Sequence, residues 1–192
     1  IVVSNLASTA TTITQRSDDG TNDDDLTVRY AAGSAATVTF GIDDGDETAD
    51  TISNVTSTFG NIASLTINGG DDDTGNDATS ALSMGVFNAD AALTSLTVTS
   101  DNDTGDTVTL GAMTASNLTS LTVTADEAAL EVGALASADN LVTINATSSG
   151  RGDVTIGNIG ATASADALTS FVVNNGTDTT GSVVVVGTLD AM

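Results

Sequence analysis

Leu118-Thr119-Ser120-Leu121-Thr122-Val123-Thr124 is the stretch whose reading decides the fold, because the chain repeats it. Near-copies with the same apolar positions are Ile62-Ala63-Ser64-Leu65-Thr66-Ile67-Asn68, Leu93-Thr94-Ser95-Leu96-Thr97-Val98-Thr99, Leu141-Val142-Thr143-Ile144-Asn145-Ala146-Thr147 and Leu168-Thr169-Ser170-Phe171-Val172-Val173-Asn174. Their starts fall 31, 25, 23 and 27 residues apart. A second motif is interleaved, an apolar run closed by glycine: Val108-Thr109-Leu110-Gly111, Leu130-Glu131-Val132-Gly133, Val154-Thr155-Ile156-Gly157 and Val184-Val185-Val186-Gly187. Each repeat therefore holds two short strands and two turns.

Self-similarity at this period marks an array in which no unit buries its apolar side alone and stacking builds the core. The leucine spacing is shared with leucine-rich repeats, but the asparagine that should follow the strand is not kept, and the second strand motif points to a solenoid. The expected fold is all-β, a right-handed β-solenoid (parallel β-helix) with coils of roughly 23–31 residues. Thr, Val and Ile dominate the repeats and suit extended chain. Helical periodicity is absent, although the Ala-rich connectors 134–140 and 161–167 leave room for one short helical turn each. Residues 1–15 read as an N-terminal strand or cap, 16–60 as irregular first coils with acidic turns, and 61–192 as regular solenoid. Within the irregular part, residues 51–60 read as an insertion or an irregular coil.

One continuous solenoid segment accommodates 192 residues. The chain starts at Ile1, which suggests processing or a longer parent, and no secretion signal or membrane-length apolar run is visible. Three arginines stand against 26 acids, a net charge of -23, with no His, Cys, Pro or Trp. Nucleic acid needs a basic stripe to neutralise phosphates, and Arg16, Arg29 and Arg151 are too few and scattered to form one. An anionic membrane surface is excluded for the same reason. Zinc or haem held by His or Cys is excluded by composition, as are Ser-His-Asp catalysis and disulfides.

The acids are biased: 23 are Asp and 3 are Glu. A merely solvated surface accepts either, whereas short Asp side chains suit the tight turns that hold calcium. Asp71-Asp72-Asp73-Thr74-Gly75 and Asp101-Asn102-Asp103-Thr104-Gly105 share a D-x-D-T-G pattern, each with another Asp close behind, Asp77 and Asp106. Alternate carboxylates on such a turn converge on one point, and glycine allows the backbone to aim carbonyls there too. The bidentate Glu and flanking helices of an EF-hand are missing. Earlier acidic turns contain Asp18, Asp19, Asp23 and Asp25, and then Asp43, Asp44 and Asp46. The candidate calcium ligands are thus Asp18, Asp19, Asp23, Asp25, Asp43, Asp44, Asp46, Asp71, Asp73, Asp77, Asp101, Asp103 and Asp106. Later turns, around Gly150-Arg151-Gly152-Asp153 and Gly176-Thr177-Asp178, have lost most of this charge.

Other patterns are weighed as structural. Arg151-Gly152-Asp153 matches an adhesion tripeptide, but three residues in a Gly-rich turn match by chance. Asn-x-Ser/Thr sequons at Asn54, Asn102, Asn117, Asn145 and Asn175 follow from composition. Thr-x-Thr pairs at 37–39, 97–99, 107–109 and 122–124 form ranks that can order water, yet the rank is broken by Asn145, Val172 and Asn174, so it reads as ordinary sheet exterior. A carboxylate pair for glycoside hydrolysis has no aromatic subsite beside it; Tyr30, Phe40, Phe59, Phe87 and Phe171 read mostly as core, and no enzyme is expected.

Thr-, Ala-, Gly- and Asp-rich composition without Cys, iterated Leu-Thr-x-Leu-x-Val strands and Asp-Gly turns resemble bacterial surface-layer proteins of the β-solenoid, RTX-related kind. The resemblance spans about residues 18–190. Strict G-G-x-G-x-D nonapeptides are missing, with partial echoes at Gly69-Gly70-Asp71 and Gly20-Thr21-Asn22-Asp23. It implies an exported, extracellular protein on the cell surface that binds calcium and self-assembles into a lattice, with cell-surface polysaccharide as a further partner. A subunit of an extracellular filament and an adhesin or ligand-binding stalk are the alternative roles.

Overall fold

The computed structural model describes residues 1–7, 12–16, 22–41, 51–70, 81–101, 107–149, 152–160, 167–175 and 184–189, with residues 16, 22–24, 32–37, 39–41, 70, 101 and 175 described by backbone only. In chain order the strands are β1 (Val2–Leu6), β2 (Thr12–Arg16), β3 (Asn22–Gly41), β4 (Thr51–Gly70), β5 (Ala81–Ala89), β6 (Ser95–Asp101) and β7 (Thr107–Thr114), followed by β8 (Ser120–Asp126), β9 (Ala129–Val132), β10 (Thr143–Ser149), β11 (Val154–Ile156), β12 (Ser170–Asn175) and β13 (Val184–Val186). All belong to one 13-stranded sheet whose pairings are parallel, and the described residues contain no helix. The chain is a β-solenoid.

From β5 to β13 the stack carries the glycine-closed motif on one side and the leucine motif on another, whereas β4 has Val55 at the glycine position. On the leucine side, Leu65, Leu96, Leu121, Ile144 and Phe171 stand in register, followed two residues later by Ile67, Val98, Val123, Ala146 and Val173. On the glycine side, Ile52, Leu82, Val108, Leu130, Val154 and Val184 align, and a third column runs through Met113, Leu135, Ile159 and Leu189. Alternation does the sorting. In β8 Ser120, Thr122 and Thr124 face out, whereas Leu121, Val123 and Ala125 are fully buried. β3 and β4 turn the corner without a break in strand, so each spans both sides of its coil and joins the two ladders into one path.

The corners are built from repeated short-range bonds. Leu93, Leu118 and Leu141, the first residues of three copies of the leucine motif, are buried, and their N–H groups bond Asp90 O, Ala115 O and Ala138 O. One residue on, the backbone N–H of Thr94, Thr119, Val142 and Thr169 bonds the carbonyl of Ala63, Thr94, Thr119 and Val142 on the coil before. Threonine hydroxyls at 94, 119 and 169 donate to the same carbonyls. Asn117 Nδ2 reaches Ala91 O at 2.8 Å and Asn140 Nδ2 reaches Ser116 O at 3.0 Å, so an amide ladder ties the same corner. In the longer coils, the change of direction inside β4 falls at Asn61, which sits at φ 57 and donates through Nδ2 to Tyr30 O. Asparagine tolerates that left-handed backbone better than most residues.

Two sequence expectations are corrected. Residues 51–60 are neither an insertion nor an irregular coil: they are the first half of β4, paired with both β3 and β5. Asn54, Thr56 and Thr58 hide the motif from a pattern search, because Asn54 faces the core and is satisfied there by Gln15 through reciprocal amide contacts at 3.3 and 3.4 Å. Residues 134–140 hold no helical turn, since Leu135 bridges Met113 and Ile159 in the third column. Stacking on two neighbours outweighs the alanine propensity of a segment too short to nucleate a helix.

Among the described residues Tyr30, Phe59 and Phe87 are the largest buried side chains, with the two phenyl rings 5.1 Å apart at 31°. Burial pushes the Tyr30 phenol above its ordinary pKa. The folded phenol then holds its proton to higher pH than the unfolded one, so its contribution is complete below the ordinary value of 10.0 and is lost as pH rises through the raised folded value. The chain has one Tyr and neither Lys nor Cys, so Tyr30 is the one side chain whose ordinary pKa lies between about 7 and 12. Thermal melts should fall above pH 10.0 by up to about 1.4 kcal/mol per pH unit within that window, and Tyr30→Phe should flatten the limb. An unchanged limb in Tyr30→Phe would place the phenol outside the core.

Candidate functional site

The parallel register fixes where the chain leaves and rejoins the sheets. Leaving the leucine side, Arg16 pairs with Gly41, Gly41 with Gly70, and Gly70 with Asp101, while Ser100 pairs with Ala125 so that Asp126 follows on the next rung. Rejoining the glycine side, Thr51 pairs with Ala81, Ala81 with Thr107, and Thr107 with Ala129. Residues 17–21, 42–50, 71–80 and 102–106 are the segments between these stacked exit and entry points. Neighbouring rungs lie about 4.8 Å apart. The anchors of the acidic segments therefore form one edge of the solenoid.

Of the candidate ligands, Asp18, Asp19, Asp43, Asp44, Asp46, Asp71, Asp73, Asp77, Asp103 and Asp106 lie outside the described residues. Asp23 and Asp101 are strand residues described by backbone only; Asp23 pairs with Ser53 and Asp101 with Gly70. Asp25 is exposed and braces the fold, its Oδ1 accepting from the Thr56 backbone N–H at 3.0 Å where the β3–β4 register shifts. Among the described residues no three carboxylates gather closely enough to hold a metal ion.

The edge continues beyond the acids singled out by motif. Asp126 occupies the rung after Asp101, is exposed, and accepts from Ser149 Oγ at 3.0 Å through Oδ1. Glu127 next to it sits at φ 58, and Ala128 N–H bonds back to Asp126 O at 2.6 Å. A single tight turn here replaces the longer acidic segments of the preceding coils. Neither residue carries the D-x-D-T-G pattern; the signal available was position, since Asp126 follows Ser120-Leu121-Thr122-Val123-Thr124 at the distance Asp101 follows Ser95-Leu96-Thr97-Val98-Thr99.

The remaining motifs find structural explanations. Asn54 is buried with 1% exposure and bonded to Gln15, so its sequon is closed in the folded chain. Asn117 is spent on the corner ladder. Gly152 is buried, its carbonyl accepting from Ser148 Oγ, and a Cβ there would come within 2.6 Å of Ala128 O. The central residue of Arg151-Gly152-Asp153 is thus fixed by coil packing, with Arg151 outside the described residues. Tyr30, Phe59 and Phe87 belong to the core and offer no sugar platform.

The acidic segments are rich in Asp, Thr and Ser, whose side chains offer oxygen ligands, and the chain has no imidazole or thiolate. That donor chemistry suits a hard cation such as Ca²⁺. Neither a family model, nor a curated protein, nor a solved structure matches the chain.

Proposed function

We propose that this β-solenoid is a structural component of an extracellular, self-assembling surface layer, stabilised by calcium held along its acidic edge, without a catalytic role. The observation that carries the reading is the stacking of exit points at Arg16, Gly41, Gly70 and Asp101, each opening an Asp-rich segment. Carboxylates on neighbouring rungs repel by roughly 1 kcal/mol per pair even in water. A divalent cation between rungs turns that repulsion into attraction. The ligands would come from Asp18 and Asp19 in the first segment with Asp23 and Asp25 at the start of β3, Asp43, Asp44 and Asp46 in the second, Asp71, Asp73 and Asp77 in the third, and Asp103 and Asp106 in the fourth with Asp101 at the end of β6.

Calcium at one hundred times its Kd adds about 2.7 kcal/mol of stability for each site that only the folded chain offers. Removing it with a chelator should lower the thermal midpoint and the β signal in circular dichroism, and should shrink the assembly seen by light scattering. Calcium should restore both where an equal ionic strength of sodium does not. If neither signal moves, the acids are a solvated surface and the calcium reading fails.

Assembly end to end, as in a filament, is favoured by one specific feature. β12 and β13 pair on one side only among the described strands, and Val172, Val173 and Val185 on them are 40%, 45% and 50% exposed. Unpaired strands with apolar side chains are templates for a further chain. Negative-stain images of the calcium-loaded protein should separate a lattice from a filament.

A further inference from the structure

The outer surface of the leucine side is a two-dimensional array of small hydroxyl and amide groups, broken by Val172 on the last strand. Three columns run along the stack: Ser64, Ser95, Ser120, Thr143 and Ser170; then Thr66, Thr97, Thr122, Asn145 and Val172; then Asn68, Thr99, Thr124, Thr147 and Asn174. The Thr-x-Thr rank does not begin at Thr97. Thr12 and Thr14 of β2 pair with Thr37 and Thr39 of β3, which pair with Thr66 and Asn68, so the threonine positions extend the middle column to the first coil. Asn145 and Val172 interrupt this column only at its far end.

Charge singles out this surface. The protein carries -23, yet none of the outward positions in these columns is acidic or basic; carboxylates begin only at the margin, with Asp101 and Asp126. The hydroxyls divide between two tasks. Thr99 Oγ1 donates to Asn68 Oδ1 at 2.7 Å and Thr143 Oγ1 to Ser120 Oγ at 3.1 Å, which ties one neighbouring pair in each outer column. Thr66, Thr97 and Thr122 in the middle column make no side-chain hydrogen bond among the described residues and are half-buried between their neighbours. Their donors and acceptors point to solvent from β-branched side chains that have little rotamer freedom.

We infer that this face binds ice. The hydroxyl array repeats about every 4.8 Å along the stack and about every 6.6 Å, two residues, along a strand. Both repeats are close to oxygen spacings on a prism face of hexagonal ice. A rigid, neutral surface that pairs hydroxyls with methyl groups at those intervals can order the water layer it shares with a crystal, with the ordering entropy already met by the fold. A neutral polysaccharide is the less fitting occupant, because no aromatic ring lies in the columns to stack on a sugar.

The test measures thermal hysteresis and ice-recrystallisation inhibition on the whole chain in calcium-containing buffer, with circular dichroism confirming the β fold. Wild type should facet ice crystals and hold their growth over a measurable gap below the melting point. Thr122→Tyr, which keeps a good strand former but breaks the array, should lose that gap. Thr97→Lys, which places a charge in the middle column, should lose it too. Thr109→Tyr on the outer surface of the glycine side should keep it. The inference is overturned by a folded wild type in whose presence ice grows as in buffer, by equal loss in Thr122→Tyr and Thr109→Tyr, or by retention on insoluble neutral polysaccharide without any effect on ice. Because the readout is ice growth by folded protein, its failure leaves the calcium reading standing.

Discussion

Gly111→Ala is expected to cost about 3 kcal/mol or more and to prevent a stable middle to the solenoid, although it adds one methyl group. A Cβ at that position would lie 1.8 Å from Gly85 O and 2.6 Å from Gly85 C. Both are backbone atoms of the preceding coil, held by the β5–β7 ladder on one side and the β4–β5 ladder on the other, so neither can move aside without breaking strand pairs. The requirement is for space rather than for a special dihedral, since Gly111 is not among the glycines at positive φ. It recurs at Gly133, Gly157 and Gly187, where an added Cβ would come within 2.5, 2.7 and 2.9 Å of backbone atoms of the coil before. Denaturant unfolding followed by circular dichroism should show a lower midpoint for Gly111→Ala, or no folded baseline. Ala112→Val, one residue on and exposed, should stay within about 0.5 kcal/mol of wild type. Equal midpoints for Gly111→Ala and wild type would mean that the coils do not approach at this corner.

That glycine shows what could be read in advance and what could not. The recurrence of Val-Thr-Leu-Gly and Leu-Thr-Ser-Leu-Thr-Val-Thr was enough to give two strands per coil and their order, because inward positions in a stack must match from rung to rung. Val108, Leu130 and Val154 align as their spacing implies, and so do Leu96, Leu121 and Ile144. The reason for the closing glycine was not legible, since it is the absence of room against a neighbouring coil. Nor was the strand at 51–60, where a polar core pair, Gln15 with Asn54, replaces the apolar residue that alternation looks for. Between Ser64 and Thr143 variation in coil length arises mainly at the acidic edge: where Asp126 and Ala128 close the turn around Glu127 the coil is shortest, offset by 23 residues, and where residues 71–80 intervene it is offset by 31. Asp126 carries no D-x-D-T-G motif, and it is the register that ranks it with Asp101 by position on the rung.

Leu121→Ala should remove about 2–5 kcal/mol. Leu121 has no exposed surface and sits in register between Leu96 and Ile144, so the cavity cannot be filled by a shift along the stack without displacing both. The distribution of the loss is the more telling outcome. In a solenoid each coil gains its stability from its own residues and from two neighbours, so damage spreads through adjacent interfaces rather than through one shared core. Amide hydrogen exchange in Leu121→Ala should therefore speed up first in β6, β8 and β10, with β2 and β3 keeping most of their protection. Val172→Ala, at a position 40% exposed on the terminal strand of the same side, should leave exchange in β8 unchanged and shift stability by no more than about 0.5 kcal/mol. A uniform acceleration across all strands in Leu121→Ala would indicate a single cooperative core, and the additive stack of coils would have to be abandoned. Confinement to the three adjacent strands would instead tie the repeating Leu-x-Val of the sequence directly to local stability, one rung at a time.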